Sequence, residues 1–282
     1  MRFHGASERT LAAFCTVVTG LVLAGGAQAG IFHDASSSTN WAGYAVSGST
    51  FSDVKGTWVQ PAVNCSASLA TPSYAAFWVG LGGLSGGNGG LEQTGTESDC
   101  RNGRAAYAAW YELLPDDSVP VPMSIAAGDT ISAEVIVDNG VATLALTDVT
   151  TGQTFTMQGT PSLLDVSSAE WIAEAPSACF AASRCEQLTL ANFGTVEFSG
   201  SSTTANGHVG TISDGSWSAT SIDLGGGAGA ATAAALSPDG SDFIVAFVPT
   251  QVTQPQVKTK AKAKAKPKRK PKPKPRPHRV TT

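Results

Sequence analysis

The sequence predicts an all-β fold, a sandwich of two packed antiparallel sheets. Three observations carry that prediction. No stretch longer than a turn or two repeats its apolar residues at the helical period. Strand-like runs recur instead at 41–47, 51–59, 73–81, 104–113, 129–137, 141–148, 168–174, 189–198, 216–223 and 242–248, punctuated by Gly, Ser, Thr, Asn and Asp. The segment that carries them, residues 30–257, has the length of one large sandwich domain.

The chain divides into three. Residues 1–29 read as an export signal: Arg2 and Arg9 are followed by an apolar run from Leu11 to Ala24, then by the small residues Ala27-Gln28-Ala29. That run is too short and too rich in Gly and Ala for a membrane span, and no later segment reaches the length of one. The mature protein is expected to begin near Gly30 and to be secreted, extracellular and monomeric. Residues 258–282 form a basic tail, with twelve Lys or Arg and no acid in 25 residues. Its Lys-Ala and Lys-Pro alternation offers no apolar face, so it is expected to be disordered. It reads either as a tether to an anionic cell-envelope polymer, which would associate the protein with a cell wall, or as a solvated tail.

The domain between them is strongly acidic. From Gly30 to Val257 the bases Lys55, Arg101, Arg104 and Arg184 stand against 21 acids, a formal charge of −17. Such a domain repels itself less in acid, where carboxylates titrate near ~4. The balance suits work at low pH, and it equally serves solubility. Four cysteines remain after the signal: Cys65, Cys100, Cys179 and Cys185. An even number in an exported chain suggests two disulfides; three pairings exist, and proximity favours Cys65–Cys100 with Cys179–Cys185.

Taken in order, each strand has its local signal. The run at 104–113 sets Trp110 and Glu112 on one face by strict alternation. Asp138-Asn139-Gly140 between 129–137 and 141–148 is a hairpin signature. In 168–174, Glu170, Ile172 and Glu174 share one face and Trp171 and Ala173 the other, so the Glu-bearing face is neither plainly wet nor plainly core. The glycine run 82–90 lacks the helix and Lys of a phosphate loop and reads as a flexible loop.

Common hydrolytic motifs are missing. There is no His-Glu-x-x-His, Asp-Thr-Gly or Asp-Ser-Gly. His33 and His208 are the only histidines of the domain. Ser-His-Asp members need not be close in sequence, but His208 lies among Ser, Thr, Asn and Gly in a loop-tip context. Cysteines without nearby histidines argue against a zinc site, and no metal or cofactor is expected.

Seven short segments, in order, resemble the glutamic peptidases (eqolisins), whose best-known members are secreted fungal acid proteases. They are Asn40-Trp41-Ala42-Gly43, Phe77-Trp78-Val79-Gly80, Gln93-Thr94-Gly95, Ala109-Trp110-Tyr111-Glu112, Thr150-Thr151-Gly152-Gln153, Ala169-Glu170-Trp171-Ile172, and Asn192-Phe193-Gly194 with Val196-Glu197-Phe198. The resemblance implies a concanavalin-like sandwich with a concave substrate groove. It implies Gln93 and Glu170 as the catalytic pair. Trp41, Trp78, Trp110 and Glu112 are expected to contact a polypeptide substrate, although the tryptophans fit core packing equally well. The implied activity is acid endopeptidase, pepstatin-insensitive, with Glu170 passing protons and Gln93 holding the oxyanion. A carboxyl titrating near ~4 would do this only around that pH.

The chain also departs from the family. Gly82 stands where an Asp follows Trp-Val-Gly-Ile, Ala108 where an Asp precedes the Trp-Tyr-Glu strand, and Leu114 where a Tyr is usual. These departures bear on specificity and pH optimum. Only Gly30–Thr39 separate the signal from Asn40-Trp41, which leaves no room for a long prosegment. The rival reading is a non-catalytic concanavalin-like module that binds carbohydrate or peptide.

Overall fold

A computed structural model of the chain describes residues 31–84, 89–179 and 185–249. The expected signal segment and basic tail lie outside the described residues. Among the described residues every regular element is a strand. In chain order they are β1 (Ile31–Ser38), β2 (Trp41–Ser47), β3 (Phe51–Val59), β4 (Ala76–Gly82), β5 (Leu91–Arg101) and β6 (Arg104–Leu113). There follow β7 (Val119–Val121), β8 (Thr130–Asp138), β9 (Val141–Asp148), β10 (Gln153–Gly159), β11 (Ser168–Glu174) and β12 (Ser177–Cys179). The chain continues through β13 (Cys185–Gln187), β14 (Thr195–Ala205), β15 (His208–Thr211), β16 (Ser218–Gly226), β17 (Gly229–Ala233) and β18 (Phe243–Val248).

The strands join edge to edge in the order β10-β9-β8-β3-β14-β18-β17-β16-β2-β11-β4-β5-β6-β7. The pairings are antiparallel except that of β1 with β16. The two ends of this ribbon fold over one another, so that β4 packs on β3 and β8, and β5 on β8 and β9. This is the sandwich expected from the sequence. The glutamyl strand β11 sits between β2 and β4, central in its half.

Alternation explains what each half buries. Trp171 and Ala173 of β11, Phe77, Val79 and Leu81 of β4, and Tyr44 and Val46 of β2 point into the space between the halves. There they meet Val54 and Trp58 of β3, Ile131 and Val135 of β8, and Leu144 and Leu146 of β9. The Trp171 indole N–H donates to the Lys55 carbonyl at 2.8 Å, so the deepest indole keeps a polar partner. The opposite face of the same half carries a second, smaller cluster of Ala45, Ala76, Trp78, Leu91, Trp110, Ile172 and Ile222. A sheet apolar on both faces has one face for the core and one for something else.

Most expected strands appear within two or three residues of their predicted ends. The run at 189–198 begins later, as Thr195–Ala205, because Tyr74 and Leu190 meet in an isolated bridge rather than a ladder. The hairpin at Asp138-Asn139-Gly140 is present, with Asn139 and Gly140 at φ of 50° and 80°. Strand β5 was not predicted. Its core-facing residues are polar: Thr96 accepts from the Trp58 indole at 3.0 Å, and Gln60 of the segment after β3 bonds the Ser98 hydroxyl at 2.9 Å. Burial by hydrogen bonding erased the apolar alternation that would have revealed it. A Cys65–Cys100 disulfide ties the end of β5 to the segment following β3, as expected. Cys185 is also disulfide-bonded, and the β12–β13 register sets Cys179 opposite it.

Candidate active site

One row of residues crosses β16, β2, β11, β4, β5 and β6: Thr220, Ala45, Glu170, Gly80, Gln93 and Glu112. Residues directly opposite share a face, so Glu170 and Gln93 stand on the same side of the sheet with only Gly80 between them. Two inter-strand spacings put their Cα atoms about 10 Å apart. Gly80 relieves crowding there: a Cβ at 80 would lie 3.0 Å from the Trp78 ring and 3.1 Å from the Gln93 Cβ. The glycine makes room between the carboxyl and the amide for the Trp78 ring and the Gln93 side chain.

Beside this row lies a groove of about 440 Å³. Gln93, Glu112, Glu174 and Glu97 line it, with Trp41, Trp110, Leu91 and Leu114 among its apolar walls. Trp41, Trp110, Gln93 and Glu112 therefore fall together, as the sequence suggested. Glu170 and Trp78 do not line the groove. Trp78 is fully buried and takes the core role that the sequence had left open. Its ring meets that of Trp41 edge-on at 5.1 Å between centroids. Its indole N–H donates to Glu174 at 2.8 Å, while the Asn40 amide donates to the other Glu174 oxygen at 3.0 Å.

Glu112 fixes the Gln93 side chain: the Gln93 Nε2 donates to Glu112 Oε2. The second Nε2 hydrogen is left over, and the buried Gln93 Oε1 has no hydrogen-bond partner. A primary amide held by one N–H thus keeps one donor and one acceptor for other work.

Glu170 is fully buried, and neither of its oxygens completes a hydrogen bond. Burial holds this carboxyl well above the ordinary Glu value; the neighbouring acids Asp165 and Glu92 push the same way, against the Ser168 hydroxyl. A carboxyl shut away from water keeps its proton to higher pH than an exposed one. Burial also pushes Glu174 up to about 7, opposed by the Trp78 and Asn40 donors. Glu97 is pushed up to about 7 by burial and by Asp99, and Glu112 is raised by burial. An acidic groove so desolvated carries much less charge than its three carboxyls suggest.

The residues missed from sequence differ in how visible they were. Glu174 shares the Glu170 face by simple alternation. Glu97 lies four residues beyond Gln93 and would have been on its face had β5 been recognised. Glu92 and Asp165, both buried, carried no signal. Among the described residues no group of three or more His, Cys, Asp or Glu side chains is arranged to hold a metal ion. Among these residues no helix is long and apolar enough to cross a membrane.

Comparison with known proteins places the chain in a family. The peptidase A4 family matches residues 39–247. Aspergillopepsin-2 of Aspergillus niger is 28% identical over 193 residues, covering 60% of this chain and 66% of that protein. Scytalidopepsin B of Scytalidium lignicola is 31% identical over 189 residues, covering 64% and 69%. The chain thus matches about two thirds of the length of these two relatives. Scytalido-glutamic peptidase, solved with a transition state analog inhibitor, superposes with a TM-score of 0.64 at 25% identity over 74% of this chain and 98% of that one. Aspergilloglutamic peptidase from Aspergillus niger gives 0.54 at 25% identity, over 62% and 99%. The chain belongs to the peptidase A4 family, as a relative of glutamic peptidases.

Proposed function

We propose that this protein is an endopeptidase that hydrolyses peptide bonds by direct attack of water, with Glu170 and Gln93 as its catalytic residues. The observation that carries the reading is their placement: one carboxyl and one amide face the same side of the sheet across Gly80. A scissile carbonyl and a water would meet between the two once the buried Glu170 is opened to the groove. Ionised Glu170 takes the proton of the attacking water. The free Gln93 N–H donates to the oxyanion that forms on the carbonyl oxygen, and Gln93 Oε1 accepts from the water. Glu170 then returns the proton to the departing amide nitrogen, so the carboxyl ends as it began. One oxyanion donor of this kind is worth on the order of 3 kcal/mol.

The rest of the groove serves position. Glu112 holds the Gln93 amide in one orientation, Glu174 is held in turn by Trp78 and Asn40, and Trp41 and Trp110 give flat apolar contact to an extended chain. The upward displacement of Glu170 moves the rising limb of the rate profile above the usual carboxylate range. Ionisation of Glu174 and Glu97 near about 7 sets the far side. Digestion of an unfolded protein by the purified enzyme tests the class: pepstatin, chelators and serine-directed reagents should leave it intact, and loss of activity with EDTA would overturn the reading.

Export and tethering complete the proposal. The basic segment from Lys258 is suited to hold an acidic domain on an anionic envelope polymer through contacts that salt reverses. A chain ending at Val257 should bind such material no better at low salt than at high. Equal binding by the full chain and the shortened one would remove the tether.

A further inference from the structure

Two glycines at the adjoining ends of β4 and β5 admit the loop that precedes β11. A Cβ at Gly82 would lie 2.5 Å from the Asp165 carbonyl oxygen and 2.7 Å from the Asp165 Cβ. A Cβ at Gly90 would lie 2.4 Å from the Leu163 carbonyl oxygen and 2.9 Å from the Asp165 nitrogen. No other residue type fits at either position while the loop stays there. Asp165 therefore fills space that a side chain on β4 would need, and Gly82 is the position where the resembled family carries an Asp. The loop brings a carboxyl to that place by another route.

The side chain is built in rather than draped. Asp165 is buried; its Oδ1 accepts the Ser167 N–H at 2.9 Å, and its Oδ2 faces the Gly83 N–H at 3.4 Å. Glu170 follows five residues later, on the face that Gly82 and Gly80 leave bare. Around Glu170 the flanking strands contribute Ala45 from β2 and Gly80 from β4, neither titratable. Glu174 lies beyond Ile172 along the same strand. Glu92, on the core face of β5, is the other acid that acts on Glu170, and it too has no hydrogen bond to either oxygen. Two buried, unpartnered carboxyls thus flank a third that is anchored by backbone N–H groups.

We propose that Asp165 is a positioning residue for the hydrolysis, its buried carboxyl, seated against Gly82 and Gly90, governing when Glu170 gives up its proton. The inference rests on the role proposed for Glu170. A negative group held close in a solvent-excluded site disfavours a second one, so Asp165 keeps the proton on Glu170 to higher pH. It acts through Glu170 and touches no reacting atom.

Asp165→Asn removes the charge and keeps an oxygen for the Ser167 N–H. The rising limb of kcat/KM against pH should move toward acid, while the falling limb stays. A second measurement does not depend on turnover: the side-chain carboxyl of Glu170, followed by NMR in protein labelled with ¹³C at Glu Cδ and assigned through Glu170→Gln, should titrate lower in Asp165→Asn by the same amount. Should Asp165→Asn unfold, Asp165→Ser keeps a short acceptor with less volume and serves in both assays. An unmoved Glu170 midpoint overturns the proposal, whereas a moved midpoint in a protein without peptidase activity would overturn the proposed function and leave this inference standing. A uniform loss of rate with both limbs in place would mark Asp165 as structural only and likewise overturn it.

Discussion

Replacing Glu92 by Gln should stabilise the protein at pH 8 and do almost nothing at pH 4. Glu92 points into the core between Leu81 and Leu113 of the neighbouring strands, fully buried, with neither oxygen hydrogen-bonded. Burial pushes its carboxyl up from the usual 4.5 to about 8. A carboxyl whose folded value is raised leaves stability intact below the unfolded value. Stability is then lost as pH climbs, because the folded state keeps a proton that the unfolded chain has released. The loss begins near pH 4.5 and levels off above about 8. At 1.36 kcal/mol per unit, it amounts to about 4 kcal/mol by pH 8. For a domain of this size that is roughly 8–16 °C in melting temperature. Gln does not titrate, so the variant should melt flatter against pH by that amount. Thermal unfolding followed by circular dichroism from pH 4 to 8 reads both curves. Parallel curves for the two proteins, or a wild type that grows more stable toward pH 8, would refute the reasoning. Glu170, displaced in the same direction, should leave a residual slope in the variant.

Three further outcomes follow from the same geometry. Gln93→Ala should cut kcat by about 10²- to 10³-fold with an unchanged circular dichroism spectrum, since it removes one oxyanion donor; a wild-type rate would show that the amide plays no part. Trp78→Phe leaves a cavity at any pH and also removes the N–H that holds Glu174, so the protein should lose about 1.5–3 kcal/mol more at pH 8, where Glu174 is ionised, than at pH 5; equal losses at both pH values would contradict a charge-assisted bond. Replacing Cys65 and Cys100 by Ser opens a loop with a sequence separation of 35, which costs on the order of 4 kcal/mol in denaturant unfolding; an unshifted midpoint would deny the disulfide a stabilising role.

Much of this fold could be read from alternation, because each half of the sandwich buries one face against the other. The segment around Glu170 is the clearest instance. Its Trp and Ala positions fall in the core, and its Glu and Ile positions fall on the groove half, as spacing alone dictates. Strand β5 escaped for a physical reason. Thr94, Thr96 and Ser98 are buried by hydrogen bonds to the Trp110 carbonyl, Gln60 and Pro61, and polar residues satisfied in that way leave no apolar pattern. With β5 unread, Glu97 could not be placed beside Gln93. Asp165 was beyond reach for another cause: what seats it is the absence of side chains at Gly82 and Gly90, a fit between distant segments. The displaced titration of Glu170 was hidden likewise, since burial depends on neighbours and not on the residue itself.

The most direct test of the account is hydrolysis of an unfolded protein by wild type and by Glu170→Gln, measured from pH 2 to 8 with and without a chelator. The account predicts that wild type cleaves the unfolded protein, that the chelator changes nothing, and that Glu170→Gln, though folded, is inactive at every pH. Cleavage by Glu170→Gln at the wild-type rate would contradict it.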